Sequence, residues 1–577
     1  MENWKTYQID LSQKTFTVKD WPGDKPKMGG RGFSSNWIAE NIPPTCDPLG
    51  AENDLIFTIG LLGGSGASSS NRLSVAGKSP LTGGIKESNT GGRAGYDFGM
   101  LGIRALILQG LSDTWLKIVI NKDGIQFLPA GDLLGKDIYT TVREIREEHD
   151  QKMDVIAIGP AGEMRMAAAS IGISDNDGIP ARHAARGGLA AVMGSKKVKA
   201  IVLDTAGGKV PGLFDKDALK AAIKRFAQAL LDNPTTSTTM PKYGTSVIVN
   251  VVNNLGGLPT RNFSEGVFEG AEKISGDALY DLIVARGGKP THACMPGCVI
   301  RCSNVVPDKE GGELNRALEY ETITLLGSNC GIDDLDTINR LNKRCDEIGI
   351  DTIETGAAIA VAMEAGLASF GDGEAALRFM DEIEQGTELG RILGSGAQAT
   401  GDAYGVIRIP VVKRQAMAAY DPRALKGTGV TYATTPMGAD HTAGNALPNT
   451  KLPDGRVPDT TKKEDQAELS AFLQRLSAAF DALGLCWFTR APIFGDYSLV
   501  TDMIYAMHGE RYSPNDLFEM GRSILQDELD FNCRAGLTQK DDLPEYFRTE
   551  PLPPHGYIFD VDQDELDRVH SLDIKVE

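Results

Sequence analysis

The sequence predicts an α+β protein, with a β-rich N-terminal base domain followed by two mainly helical domains. Two observations carry that prediction. Up to about residue 208, short apolar runs alternate with Gly-rich turns, as strands do. From about residue 209, apolar residues recur at helical spacing. A length of 577 residues allows three or four domains at about 150 residues each. Three are drawn, at 1–208, 209–412 and 413–577.

In the first domain the expected strands include Leu55-Ile56-Phe57-Thr58-Ile59, Ala105-Leu106-Ile107-Leu108, Val155-Ile156-Ala157-Ile158-Gly159 and Ala200-Ile201-Val202-Leu203. A helical pattern interrupts them at 137–149. Later helices are expected at 215–231, 333–349, 352–366, 373–385 and 465–483. The stretch after Leu543 is rich in Pro and charge and reads as a surface tail. No sequence repeat stands out beyond two related hexads, described below.

Composition narrows the function. The 41% hydrophobic content suffices for a large core, and the 66 glycines exceed the usual share of about 7%. Such glycine fits backbone wrapped closely around a bulky cofactor, or simply many loops. A net charge of −19 argues against nucleic acid as a partner, since that needs a basic face. No run approaches the roughly 20 apolar residues of a membrane span. The start, Met1-Glu2-Asn3-Trp4-Lys5, is polar and not a signal core. Eight cysteines in such a chain predict reduced thiols and a cytoplasmic location.

The densest chemical signal is Cys294-Met-Pro-Gly-Cys298-Val-Ile-Arg-Cys302, with a fourth cysteine far downstream at Cys486. Three close thiolates and one distant one can hold a four-iron cluster. Four thiolates also suit tetrahedral zinc, although zinc usually takes two paired motifs. Cys486 ends the hexad Asp481-Ala-Leu-Gly-Leu-Cys486, and a related hexad occurs earlier, Asp346-Glu-Ile-Gly-Ile-Asp351. A buried Asp accepts N–H donors strongly, and Gly lets backbone approach a ring closely.

Twin hexads, one ending in Cys and one in Asp, resemble the pterin-binding motifs of the aldehyde:ferredoxin oxidoreductase family of tungsten enzymes. Further blocks extend the resemblance: Lys78-Ser-Pro-Leu-Thr-Gly83, Asn89-Thr-Gly-Gly92, Gly187-Gly-Leu-Ala-Ala-Val-Met-Gly-Ser-Lys196, Met240-Pro-Lys-Tyr-Gly-Thr245, Glu319-Tyr-Glu321 and Ala419-Tyr-Asp-Pro-Arg423. Each is weak alone, but they occur in the family's order.

The resemblance implies tungsten held by two pyranopterins (molybdopterin), lying on the base and enclosed by the two helical domains. It implies a 4Fe–4S cluster on Cys294, Cys298, Cys302 and Cys486, and Mg2+ joining the pterin phosphates. Arg72, Asn89, Gly91, Arg182 and Arg186 fall where the family places phosphate and magnesium contacts. Asp346, Asp351, Asp481, Leu485 and Cys486 fall at its pterin contacts. Glu321 falls at its glutamate near the metal, a general base, and His441 at its active-site histidine. The implied reaction oxidises an aldehyde and passes electrons through the cluster to ferredoxin or a small ferredoxin-like subunit. The rivals are the benzoyl-CoA-reducing branch of the family and a cluster-bearing electron-transfer subunit without pterin.

Bland readings stand beside these. Arg182 and Arg186 could be surface charges, and His292 a loop histidine. Cys330, Cys345 and Cys533 read as buried packing residues, and Cys46 has no assignable role. The chain also departs from the family's patterns. Its loop is C-x3-C-x3-C where C-x2-C-x3-C is usual, which makes Cys294 the least secure ligand. Arg340 and Lys343 replace residues that bind a bridging iron in some members, so any oligomer is expected to lack that iron. Ala443 replaces a lysine that contacts pterin in some members.

Overall fold

The computed structural model describes residues 3–23, 28–149, 152–574 and 576. Its N-terminal part holds two six-stranded mixed sheets. The first runs in spatial order Thr15–Asp20, Lys5–Asp10, Ile103–Gln109, Leu55–Ile59, Leu73–Lys78, Ile85–Thr90. Its one parallel pair joins Lys5–Asp10 to Ile103–Gln109. The second runs Gly124–Pro129, Leu116–Asn121, Val198–Leu203, Asp154–Ile158, Ile171–Ile173, Arg182–Ala184. Its parallel pair joins Leu116–Asn121 to Val198–Leu203.

Element by element the two sheets share one topology. Each starts with a hairpin followed by a helix (Gly30–Asn41 or Ile138–Glu148) and a central strand. Each then adds an antiparallel strand pair, a short helix (Ala94–Met100 or Leu189–Ser195) and a closing strand parallel to the first. The base is thus an internal repeat. The sequence pattern did not reveal it, because the two copies preserve hydrogen-bond order rather than residues.

The remainder is largely helical, as expected. Helices occur at Lys216–Asp232, Leu335–Ile348, Thr352–Glu364, Gly373–Gln385 and Gln466–Leu483. Four of them start at an Asp side chain that accepts first-turn amides: Asp215, Asp334, Asp351 and Asp372. Caps of this kind satisfy donors that a helix start leaves unpaired. A small three-stranded sheet, Lys289–His292, Ser303–Pro307 and Glu313–Arg316, interrupts this helical part and carries the three-cysteine loop.

Two expectations need correction. The stretch after Leu543 is no surface tail: Phe547, Leu552, Phe559, Val561 and Val569 are fully buried. The Phe547 ring packs edge-on against Phe263 at 5.8 Å. Its apolar residues are sparse in sequence, yet they seal the main core. Cys533 is exposed, not a packing residue, while Cys330 and Cys345 are buried as expected. No helix among the described residues is long and apolar enough to cross a membrane.

Candidate functional site

Both hexads end long helices and dock on the base in the same way. Gly349 and Gly484 adopt left-handed backbone (φ 76° and 77°), which stops Leu335–Ile348 and Gln466–Leu483. The chain then lies against base loops through backbone hydrogen bonds. Ser170 donates to Gly349 O at 2.8 Å, and Asp351 donates to Ala168 O at 3.0 Å. On the other side Arg72 donates to Gly484 O at 3.1 Å, and Cys486 donates to Ser69 O at 2.8 Å. The approach needs glycine in the base. A Cβ on Gly60 would overlap the Gly484 amide, and one on Gly159 would overlap the Ile348 carbonyl.

Between base and hexads lie three adjoining cavities of about 440, 330 and 290 Å³, and Arg72 and Glu319 border all three. Most expected site residues converge here. Asp481 accepts from Asn89 Nδ2 at 2.9 Å and from Arg31 Nη1 at 3.2 Å. Burial outweighs the charges of Arg31 and Arg72 and pushes its carboxyl up to about 6. Arg72 Nε in turn donates to Asn89 Oδ1, so the Asn89 amide is engaged at both ends. Asp346 lies 3.4 Å from His183 Nε2. Burial pushes Asp346 up to about 7 and His183 down to about 4. Leu485 lines the largest cavity, and Gly91 lines the smallest beside Cys294.

Asp351 is occupied locally. Its two oxygens accept from Ile353 N and Glu354 N, and Arg186 Nε lies 3.4 Å away. Arg186 and Arg182 are buried, not surface charges. Arg186 also donates to Ala439 O and Ala416 O at 2.7 and 2.5 Å. Arg182 Nη2 donates to Ser303 Oγ at 2.6 Å. The Nε of Arg182, Nε of Arg186, Nε2 of His183 and Oε1 of Glu87 are buried without a hydrogen-bond partner. Orphaned buried polar atoms are costly, and all four residues line these cavities.

Glu321 and His441 come from distant chain segments and meet, Nε2 to Oε1, at 3.3 Å. Glu321 sits in the first turn of the helix Tyr320–Leu326. Its Oε2 accepts from Ala419 N at 2.7 Å, which fixes the carboxylate, while its Oε1 has no hydrogen-bond partner. His441 opens a short 3₁₀ turn capped by Asp440. Asp440 also accepts from the fully buried Lys86 at 2.9 Å. Burial would raise Asp440, but Lys86, Arg186 and His441 overcome it and hold the carboxyl well below its ordinary range. The Tyr420 ring lies 5.7 Å from His441.

The four cysteines frame the other end of the cavities. Cys294 and Cys302 line the smallest, and Cys486 lines both that one and the largest. Cys298 Sγ lies 3.4 Å from Ser69 Oγ. Cys302 is pushed up by burial, then by Glu319, Cys486 and Cys298, and Cys486 shares the smallest cavity with Cys294 and Cys302. Among the described residues no three of these thiols close to within 4.8 Å of one another, and the one trio of such ligands that does is Asp175, Asp177 and His292. A single tetrahedral zinc, with Zn–S of about 2.3 Å, needs sulfurs about 3.8 Å apart. The Asp175 trio already holds a cation: Arg316 Nη1 lies 3.0 Å from Asp175 and 2.5 Å from Asp177. His292 ends a strand inside that ion-pair knot rather than lying in a loop. Arg340 pairs with Glu374 at 3.1 Å, and Lys343 lies over the Tyr139 ring at 3.0 Å.

Sequence reasoning missed His183, Glu87 and Arg31. His183 stands next to Arg182, but its pairing with Asp346 emerges only from the fold. Arg31 is clamped by Glu528 through two 2.8 Å bonds, nearly 500 residues away in sequence.

Comparison with known proteins agrees with the resemblance. Residues 6–205 match the model described as aldehyde ferredoxin oxidoreductase, N-terminal domain. Residues 221–569 match aldehyde ferredoxin oxidoreductase, domains 2 & 3. The chain is 34% identical to the tungsten-containing aldehyde ferredoxin oxidoreductase of Thermococcus kodakarensis, over 96% of this chain and 92% of that one. It is 33% identical to the protein of the same description from Pyrococcus furiosus, over the same shares. It is 27% identical to the aliphatic sulfonate oxidoreductase, WOR-like subunit, of Pyrococcus furiosus, over 77% of this chain and 76% of that one. Among solved structures, the active-site complex BamBC of benzoyl-coenzyme A reductase with 1,5-dienoyl-CoA superposes with a TM-score of 0.80. At 19% identity over 98% of this chain and 93% of that one, that likeness speaks for the fold alone. With both family models matched along nearly its whole length, this chain is an oxidoreductase of the aldehyde ferredoxin oxidoreductase family.

Proposed function

We propose that the chain oxidises aldehydes to carboxylic acids at a tungsten held by two pterins. Electrons would leave singly through a 4Fe–4S cluster to ferredoxin or a ferredoxin-like subunit. The observation that carries this reading is the Glu321–His441 pair, 3.3 Å apart beside cavities that Asp481 and Cys486 also border. In the reaction one water oxygen is added to the aldehyde, and two electrons and two protons are released.

The residues present fit the cofactors that the family implies. Asp346 and Asp481 would each accept N–H donors of one pterin. The orphaned nitrogens of Arg182, His183 and Arg186 would meet its polar and phosphate groups. Cys294, Cys298, Cys302 and Cys486 would hold the cluster, since no three of their sulfurs close to within 4.8 Å of one another, where a single zinc needs about 3.8 Å. When bound, the tungsten–pterin centre supplies the two-electron oxidation. The protein positions the substrate and handles protons. Glu321, fixed by Ala419 N with its other oxygen unpartnered, would take a proton from water or the hydrated aldehyde. His441 would hydrogen-bond the carbonyl oxygen, held in place by Asp440 and Lys86. The division at 208 and 412 is part of the same reading, with one hexad in each helical domain.

Glu321→Gln should lower viologen-linked aldehyde oxidation by about 10²–10⁴-fold, the usual worth of a positioned base. Tungsten, pterin and iron contents should stay at wild-type levels. A fully loaded variant with wild-type turnover would remove Glu321 as the base. Cys486→Ser should lower iron content and alter the reduced-state EPR signal, and an intact, unperturbed cluster would remove that cysteine from the ligand set.

A further inference from the structure

The base loop between strands Leu55–Ile59 and Leu73–Lys78 carries three consecutive serines, Ser68, Ser69 and Ser70, all buried. It lies against the cysteine loop. Val299 N donates to Ser68 Oγ at 3.0 Å. Ser69 Oγ lies 3.1 Å from Ser68 Oγ and 3.4 Å from Cys298 Sγ. The Ser69 carbonyl accepts from Cys486 N at 2.8 Å. One residue thus touches both the middle cysteine of the loop and the distant fourth one. Its backbone is left-handed, φ 58°, whereas the loop takes glycine at its other left-handed positions, Gly64 and Gly66. A side chain costs roughly 1–2 kcal/mol in that conformation, so turn geometry alone favours glycine at 69 and does not account for the hydroxyl.

The bonds have a direction. A cysteine sulfur bound to iron carries no proton and only accepts, so the Ser69 hydroxyl donates to Cys298. Each hydroxyl has one proton to give. Ser68, which accepts from Val299, donates in turn to Ser69. Three donors therefore run one way, from Val299 N through Ser68 and Ser69 to the sulfur, and aligned bonds of this kind strengthen one another. Resting on the four-cysteine cluster proposed above, we infer that Ser68 and Ser69 form a donor chain that raises the cluster's reduction potential. One electron enters the cluster, its sulfurs gain negative charge, and the donated bond becomes stronger in that state. The hydroxyl keeps its proton throughout. The chain makes the cluster a better acceptor for electrons leaving the aldehyde.

Redox titration of the loaded protein, followed by EPR, tests this apart from turnover. At a fixed poise Ser69→Ala should lower the ratio of reduced to oxidised cluster about three- to tenfold, a midpoint lower by roughly 30–60 mV, with iron content unchanged. Ser69→Gly, which relieves the left-handed backbone, should give the same shift. Ser68→Ala should give a smaller one of the same sign, and adding it to Ser69→Ala should change nothing further. Ser70→Ala removes a 3.0 Å bond to Ala67 O in the same loop and should leave the potential where it was. After exchange into D2O, ENDOR of the reduced wild type should show a coupled hydroxyl deuteron that Ser69→Ala lacks. A wild type without that deuteron would overturn the inference, even if no variant folded. So would a fully loaded Ser69→Gly at the wild-type potential. An equal shift in Ser70→Ala would make loop packing, not the hydroxyl, the cause. A wild type that binds no iron sinks the cluster reading itself, whereas a full cluster with an unmoved potential in Ser69→Ala sinks the donor chain alone. Shifted potentials in a protein that turns over no aldehyde sink the proposed reaction and spare the chain.

Discussion

The two halves of the base are one topology used twice, and they meet two hexads with different chemistry. In the first half Asn89 lies opposite the second residue of its partner strand, and its amide donates to Asp481. In the second half His183 holds the equivalent register position and faces Asp346. The residue just before the partner strand is Arg72 in one half and Ser170 in the other. Each bonds its neighbour, Arg72 to Asn89 and Ser170 Oγ to His183 Nδ1, the latter at 2.9 Å. The repeat therefore preserves a three-residue relay and changes its charge. The first relay carries a guanidinium and ends near Cys486. The second carries no guanidinium, and its hexad ends at Asp351, which caps a helix. One scaffold thus offers two similar cradles, of which only the first meets a hexad that ends in a cysteine.

The largest effects should come from the glycines that bring each hexad down. Gly60→Ala and Gly159→Ala each force a methyl into a neighbouring backbone, with a cost of about 3 kcal/mol or more. The consequences should differ. Gly60→Ala displaces the Cys486 turn and should lower iron content. Gly159→Ala should lower pterin content with iron largely kept. Equal iron loss in both variants would mean that the cradles are not separable.

Next come the acids. Asp481→Ala and Asp346→Ala should each weaken pterin retention by about 1–3 kcal/mol. The Asp481 change should be larger, because it leaves the Asn89 amide and one Arg31 nitrogen without their acceptor. Normal pterin content in the double variant would remove both acids from the site.

Much of this was legible in the sequence because it is local. The helix starts at Asp215, Asp334, Asp351 and Asp372 carry their own caps, and Leu55–Ile59 is a bounded apolar run. The cysteine loop and twin hexads announce themselves by spacing. The repeat did not, since hydrogen-bond order leaves no trace in residue identity. His183 escaped notice for the same reason: its kinship with Asn89 exists only in sheet register. The chain after Leu543 was misread because a few well-spaced aromatics can seal a core while their neighbours stay polar.

The smallest effect separates the relays by pH. In the cofactor-free protein, Asp346 is raised to about 7 and His183 lowered to about 4. A carboxyl raised in the folded state binds more protons than the unfolded chain between its ordinary value near 4 and about 7. Its contribution to stability is complete below that window and lost as pH rises through it. A lowered histidine does the reverse, and stability increases from about 4 to its ordinary value near 6.5. The two slopes oppose and nearly cancel, so wild-type stability should owe little pH dependence to this relay. Removing one partner exposes the other. His183→Gln should give a stability that falls with pH above about 4, by up to about 1 kcal/mol per pH unit. Asp346→Asn should give a stability that rises until about pH 6.5. Asp481, raised to about 6, has no histidine in its relay, and its neighbour Glu87, raised to about 8, adds a slope of the same sign, so Asn89→Ala should leave the falling slope in place. Urea denaturation at half-unit steps on either side of pH 6 reads all three. Parallel profiles for His183→Gln and Asp346→Asn would show that the second relay does not titrate as a pair.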